Sequence, residues 1–248
     1  MGSLPVDNRL VDDARPEMIV TSEPERTAAT LLVQAIVAAD RANGGARLAI
    51  AGGSAARALT AARERLPADV WARTKLTWVD ERCVPFASPE SNRGEAYRSG
   101  ALSDATPPAV ELALTRDGES VSESLARVHA TLREVFGAAL DVTLLGMGPD
   151  GHIASLFPGH SAAAEASRDT LVAHVADSPK PPASRITMTR ALLATAKTHV
   201  LLAAGEGKRW ALEQLLLGNT TLPAVGLAGL VIVTDVDLGE SASSRRAI

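Results

Sequence analysis

Three times along this chain a short apolar run rich in strand formers stops at a cluster of glycines. RLAIA (47–51) runs into Gly52-Gly53-Ser54, VTLL (142–145) into Gly146-Met147-Gly148-Pro149-Asp150-Gly151, and HVLLAA (199–204) into Gly205-Glu206-Gly207-Lys208. Glycine at the end of a strand lets the backbone turn sharply and come close to a ligand. After the first and third junctions a helical pattern begins at once, over 55–66 and up to 217. Strand, glycines, helix is the repeating unit of an open α/β sheet, because parallel strands are joined by helical crossovers.

The rest of the chain keeps this alternation. Strand patterns fall at 18–21, 75–79, 111–114, 170–176, 186–188 and 230–234, and helical ones at 24–43, 95–102, 120–136 and 189–195. The 24–43 segment has Leu31, Leu32, Ala35, Ile36 and Ala39 at helical spacing, Pro24 in its first turn, and Asn43-Gly44-Gly45 as a stop. Ser161 opens a short, polar, Ala-rich stretch to 168, and Pro179, Pro181 and Pro182 enforce an extended connection. The fold class expected is α/β, a mainly parallel, Rossmann-like sheet with helices on both faces. A single domain over 17–238 is expected, with a flexible segment at 1–16 and a flexible tail at 239–248. Apolar residues are 46% of the chain but aromatics only 3%, so Ala, Leu and Val must fill the core. A net charge of −4 gives no general attraction to nucleic acid or an anionic membrane. Cys83 is the only cysteine, which rules out an internal disulfide and a cysteine-based metal site and fits a reducing compartment. MGSLPVDNRLVDDARPE lacks the basic and apolar regions of a signal peptide, and no apolar run reaches the ~18 residues of a membrane span. A cytoplasmic monomer is expected, with no nucleic-acid or membrane partner.

The chemistry gathers at the junctions. Gly146, Gly148 and Gly151 satisfy G-x-G-x-x-G, but Pro158-Gly159 would end a following helix after about two turns, against the dinucleotide fingerprint. Two readings remain for that loop: a turn carrying a buried structural histidine, and a general base on an active-site loop. Asp150 and His152 stand at the carboxyl end of a strand, where open α/β sheets bind ligands. Gly52, Gly53 and Ser54 open a helix and suit an anion, although Ser54 is also a natural N-cap. Lys208 brings a cation to the third junction. Asp80-Glu81-Arg82 ends the 75–79 strand, facing either solvent or the pocket.

Taken in order, AGGSAARAL (51–59), WVDERCVPFASPESN (78–92), LLGMGPDGHIASLFPG (144–159), RITMT (185–189) and GEGK (205–208) resemble the 6-phosphogluconolactonase family. That family lies in a wider group that includes glucosamine-6-phosphate deaminase. The resemblance implies hydrolysis of 6-phospho-D-glucono-1,5-lactone to 6-phosphogluconate in the oxidative pentose phosphate pathway, with no metal and no organic cofactor. On this reading His152 takes a proton from water, Asp150 orients the imidazole or the loop, and Asp80 stands at the neighbouring strand end. Gly52, Gly53, Ser54 and Lys208 hold the phosphate, with Arg82 and Arg185 available to phosphate or sugar oxygens. The alternatives are a glucosamine-6-phosphate deaminase-like isomerase and a non-catalytic sugar-phosphate binding protein. The deaminase branch carries Asn-Glu where this chain has Ser155-Leu156, and a binder has no need of His152.

Overall fold

A computed structural model describes residues 16–160 and 169–239. Residues 1–15 of the expected N-terminal segment, the Ala-rich stretch 161–168 and the tail from 240 lie outside the described residues. The chain begins with β1 (Glu17–Val20), α1 (Pro24–Asn43), β2 (Arg47–Ile50), α2 (Ser54–Arg63), α3 (Ala68–Arg73) and β3 (Lys75–Trp78). It continues through β4 (Asp80–Arg82), α4 (Asn92–Arg98), β5 (Val110–Leu112), α5 (Val121–Glu134) and β6 (Val142–Gly146). It closes with β7 (Val172–Val175), β8 (Arg185–Met188), α6 (Arg190–Leu193), β9 (Thr198–Leu202), a 3₁₀ turn (Glu206–Lys208), α7 (Arg209–Leu216) and β10 (Leu230–Thr234).

Local chemistry sets the helix ends. Pro24 starts α1, and Gly44 ends it in the left-handed conformation (φ 70°), donating its N–H to Asp40 O. Ser120 and Glu123 form a reciprocal capping box on α5. The helix expected over 55–66 ends at Arg63, and α3 follows beyond Pro67, which cannot continue a helix.

Seven strands form one parallel sheet in the order β1-β10-β9-β6-β2-β3-β5. From β2 the chain moves outward to β3 and β5, then returns to β6 beside β2 and moves the other way to β9 and β10. With right-handed crossovers, these opposite directions put α1, α2 and α3 on one face and α5, α6 and α7 on the other. α1 packs on α2, as this requires. Covered on both faces, the central strands β6 and β9 are apolar runs in which Leu144, Leu145, Val200 and Leu201 are fully buried. Direction reverses between β2 and β6, so their carboxyl ends flank the crevice where such sheets bind ligands.

Beside this sheet, which the expectation of a mainly parallel sheet described, a second, unexpected sheet is antiparallel and has the order β4-β8-β7. Val79 is the pivot between the two sheets. Its N–H donates to Ile50 O in β2, and its carbonyl accepts from Met188 N at the end of β8. The chain therefore leaves the large sheet at β3 and enters the small one at β4 directly above the crevice.

Candidate active site

Strand alternation sorts the Asp80-Glu81-Arg82 run. Asp80 and Arg82 line the crevice, while Glu81 points away and accepts from the N–H groups of Arg82, Asn92 and Arg93 at 2.8 Å each. Burial pushes the Glu81 carboxyl upward, and the three N–H donors oppose it. Glu81 thus satisfies the free N–H groups at the start of α4 and fixes Asn92 at the crevice wall.

The crevice is a cleft of about 270 Å³ lined by Gly52, Gly53, Ser54, Asp80, Arg82, Asn92, the 146–149 glycine loop, His152, Arg185 and Lys208. Every site residue expected from the sequence lies in this cleft except Asp150, which sits directly behind His152. The charged residues lining it are Arg82, Arg185 and Lys208 against Asp80, which favours an anion. None of the other four histidines lines it.

The junction after β2 brings the N-terminus of α2 to the cleft. Gly53, not Ser54, is the N-cap of α2, with φ 64° and ψ −133°, a conformation that a side chain would strain. The Ser54 hydroxyl therefore makes no cap. The Gly53 N–H already donates to the Glu95 carboxylate at 3.3 Å, so this N–H faces an anionic oxygen. Across the cleft Lys208, half-buried at the end of the 3₁₀ turn, has no hydrogen-bond or ion-pair partner for its side chain among the described residues. Burial lowers its pKa first, and the nearby positive charge of Lys180 adds to that.

At the junction after β6 the loop is closed by Gly148 N–H donating to His152 O (2.8 Å) and Gly151 N–H donating to Gly148 O (2.9 Å). Gly151 takes φ 82°. His152 Nδ1 lies 2.6 Å from Asp150 Oδ1, and its ring packs on Phe157 with centroids 4.6 Å apart. Asp150 is held ionised, its pKa down at about 2, where bonds from His152 and Lys180 outweigh an opposing burial effect. An ionised carboxylate only accepts, so Nδ1 carries the proton and Nε2 has its lone pair free. Burial lowers the His152 pKa, against the pull of Asp150, so the ring is a neutral base at neutral pH.

Asp80, 5% exposed, is held in place by its neighbours. Its Oδ2 accepts from Ser155 Oγ at 2.6 Å, its Oδ1 from Asn92 Nδ2 at 3.3 Å, and Arg185 lies 3.8 Å away. Arg185, 3% exposed, spends most of its donors on the carbonyls of Lys180, Pro181 and Pro182, each at 3.0 Å. Arg82 donates to Glu90 O at 2.6 Å, and its Nε is buried with no partner among the described residues.

The sequence reading missed two residues. Asn92 bridges Asp80 O and Oδ1, and its own Oδ1 is buried against Gly52 with no donor among the described residues. Lys180 reaches across from the proline-rich connection to place Nζ 3.1 Å from Asp150 Oδ1. Its only trace in the sequence is a lysine between Pro179 and Pro181.

A doubly wound sheet whose switch point joins a glycine-rich helix N-terminus to a carboxylate-paired histidine defines the class: an open α/β protein with a basic cleft at the switch point. The family model described as glucosamine-6-phosphate isomerases/6-phosphogluconolactonase matches residues 21–232, and the chain belongs to this family. It is 36% identical over 235 residues to the 6-phosphogluconolactonase of Streptomyces coelicolor, covering 86% of this chain and 88% of that one. Its fold is that of the 6-phosphogluconolactonase of Thermotoga maritima (TM-score 0.76, 21% identity, 89% of this chain and 99% of that one). It is also that of a monomeric glucosamine-6-phosphate deaminase (TM-score 0.69, 21% identity, 94% of this chain and 100% of that one). Fold alone therefore does not separate the two branches.

Proposed function

We propose that this chain hydrolyses 6-phospho-D-glucono-1,5-lactone to 6-phospho-D-gluconate, the lactone-opening step of the oxidative pentose phosphate pathway. The observation that carries this reading is His152, its Nδ1 held by Asp150, in one cleft with Lys208, a cation whose side chain has no partner among the described residues. The C6 phosphate is held by Lys208, Ser54 and the Gly52 N–H, with the Gly53 N–H exchanging Glu95 for a phosphate oxygen and Arg82 Nε as a further donor. Water attacks the electrophilic C1 while His152 Nε2 takes its proton. The tetrahedral intermediate collapses with cleavage of the C1–ring-oxygen bond, and the imidazolium returns the proton to that oxygen. The new carboxylic acid then ionises to solvent. Asp150 holds the tautomer. Asp80, bound by Ser155 and Asn92, shapes the cleft wall and is the reserve base.

The branch choice rests on Ser155 and Leu156. Ser155 is tied to Asp80, and Leu156 is buried in the core at 1% exposure. No carboxylate stands there to assist opening of an amino sugar. A single unpaired cysteine supports a cytoplasmic setting, and no helix among the described residues is long and apolar enough to cross a membrane. The test pairs two assays on the purified protein. Lactone generated in situ by glucose-6-phosphate dehydrogenase should be consumed well above its spontaneous rate, and glucosamine-6-phosphate should release no ammonia. Ammonia release at a rate comparable to lactone hydrolysis would reverse the assignment.

A further inference from the structure

A histidine 2.6 Å from a carboxylate in a half-buried site faces a hazard. The pair gains by becoming imidazolium–carboxylate, and an imidazolium is no base. Lys180 stands where it counters this. Its ammonium lies 3.1 Å from Asp150 Oδ1, the oxygen that meets the imidazole, and 3.4 Å from His152 Nδ1. Both Nδ1–H and the ammonium are donors, so the 3.4 Å contact is no hydrogen bond. It is a cation set against the ring, and it disfavours a second positive charge there.

The position is built. Ser178 Oγ donates to Lys180 O (2.8 Å) and accepts from Lys180 N (3.3 Å). Ser178 N–H donates to Ala183 O (3.0 Å), and the buried Arg185 holds the carbonyls of 180, 181 and 182. The other charges facing the imidazole are Asp150 on its own loop and Asp80 from β4. Lys208, from the third junction, acts on Lys180 and Asp150, and Arg185 lies over Phe157, the ring that packs on His152.

Resting on the lactonase reading, we propose that Lys180 is a positioning residue of the His152–Asp150 pair. By sharing Asp150 Oδ1 it keeps the imidazole neutral and Nδ1-protonated, with Nε2 free to accept the proton of water. The charge balance of the site agrees, since Lys180 acts on His152 in the direction opposite to Asp150.

The test compares Lys180→Met and Lys180→Arg with the unmutated protein. Two readouts are taken against pH: kcat/KM on the lactone, and ¹⁵N shifts of the His152 ring in ligand-free protein. In Lys180→Met both the acid limb and the ring titration should move up by about one pH unit. That is a loss of roughly tenfold on the acid side, fading as pH rises. Lys180→Arg, which keeps the charge, should stay near the unmutated curve. A uniform loss with an unmoved limb, or a rise in KM alone, would overturn the proposal, leaving Lys180 a structural or phosphate-holding lysine. The NMR titration needs no substrate, so it decides the role of Lys180 even if the lactone proves to be the wrong substrate.

Discussion

His152 and His199 are both pushed below the ordinary histidine range by burial, but only His152 has a nitrogen facing the cleft. In His152, Asp150 fixes the proton on Nδ1 and leaves Nε2 at the cleft. His199, on β9, is wholly buried, with Nδ1 2.7 Å from Thr143 Oγ1 and Nε2 sealed with no partner among the described residues. Its pKa is depressed to about 4. An unfolded chain takes up a proton on this residue below pH 6.5 that the folded chain refuses until about pH 4. Its contribution to stability is therefore fully present above pH 6.5 and lost as pH falls toward 4. At pH 5 the loss should be about 2 kcal/mol. Urea unfolding at pH 7 and pH 5 checks this: His199→Gln should lose less stability between the two than the unmutated protein. Equal losses would show that His199 is not the group responsible.

At the scale of elements, the glycine loop after β6 makes room for its own side chains. A methyl group at Gly148 would overlap the His152 ring and the Asp150 carboxylate. Gly148→Ala should therefore displace the base and lower turnover by about 10²-fold or more, with 6-phosphogluconate still protecting the protein against heat. Near-normal turnover would show that the ring tolerates the shift. The strand–glycine–helix units were legible in the sequence because their signals are local: an apolar run, a glycine stop, and apolar residues at helical spacing. The small antiparallel sheet was not. Strand β4 has three charged residues and pairs with β8, about a hundred positions later. Separation along the chain also hid Lys180, 28 residues beyond His152. Asn92 was hidden because its place in the cleft depends on Glu81 holding the start of α4. The expectation that Ser54 is an N-cap failed because Gly53 adopts a backbone conformation that serine resists.

At the scale of the molecule, the switch between β2 and β6 turns three separated junctions into one cleft. β2 contributes the glycine cradle, β6 the base, and β9 the cation, with β4 and β8 of the small sheet as a wall. On the proposed reading, phosphate anchoring and proton transfer reside on different elements, and removing the base should leave the anchor working. The most direct test of this division is His152→Asn, which keeps a hydrogen-bonding side chain but takes no proton at neutral pH. Its rate on in-situ generated lactone, corrected for spontaneous opening, should fall by about 10²–10⁴-fold. Thermal protection by 6-phosphogluconate, and its absence with gluconate, should be unchanged. Near-normal turnover in His152→Asn, with the protein folded and still protected by 6-phosphogluconate, would contradict water activation by His152.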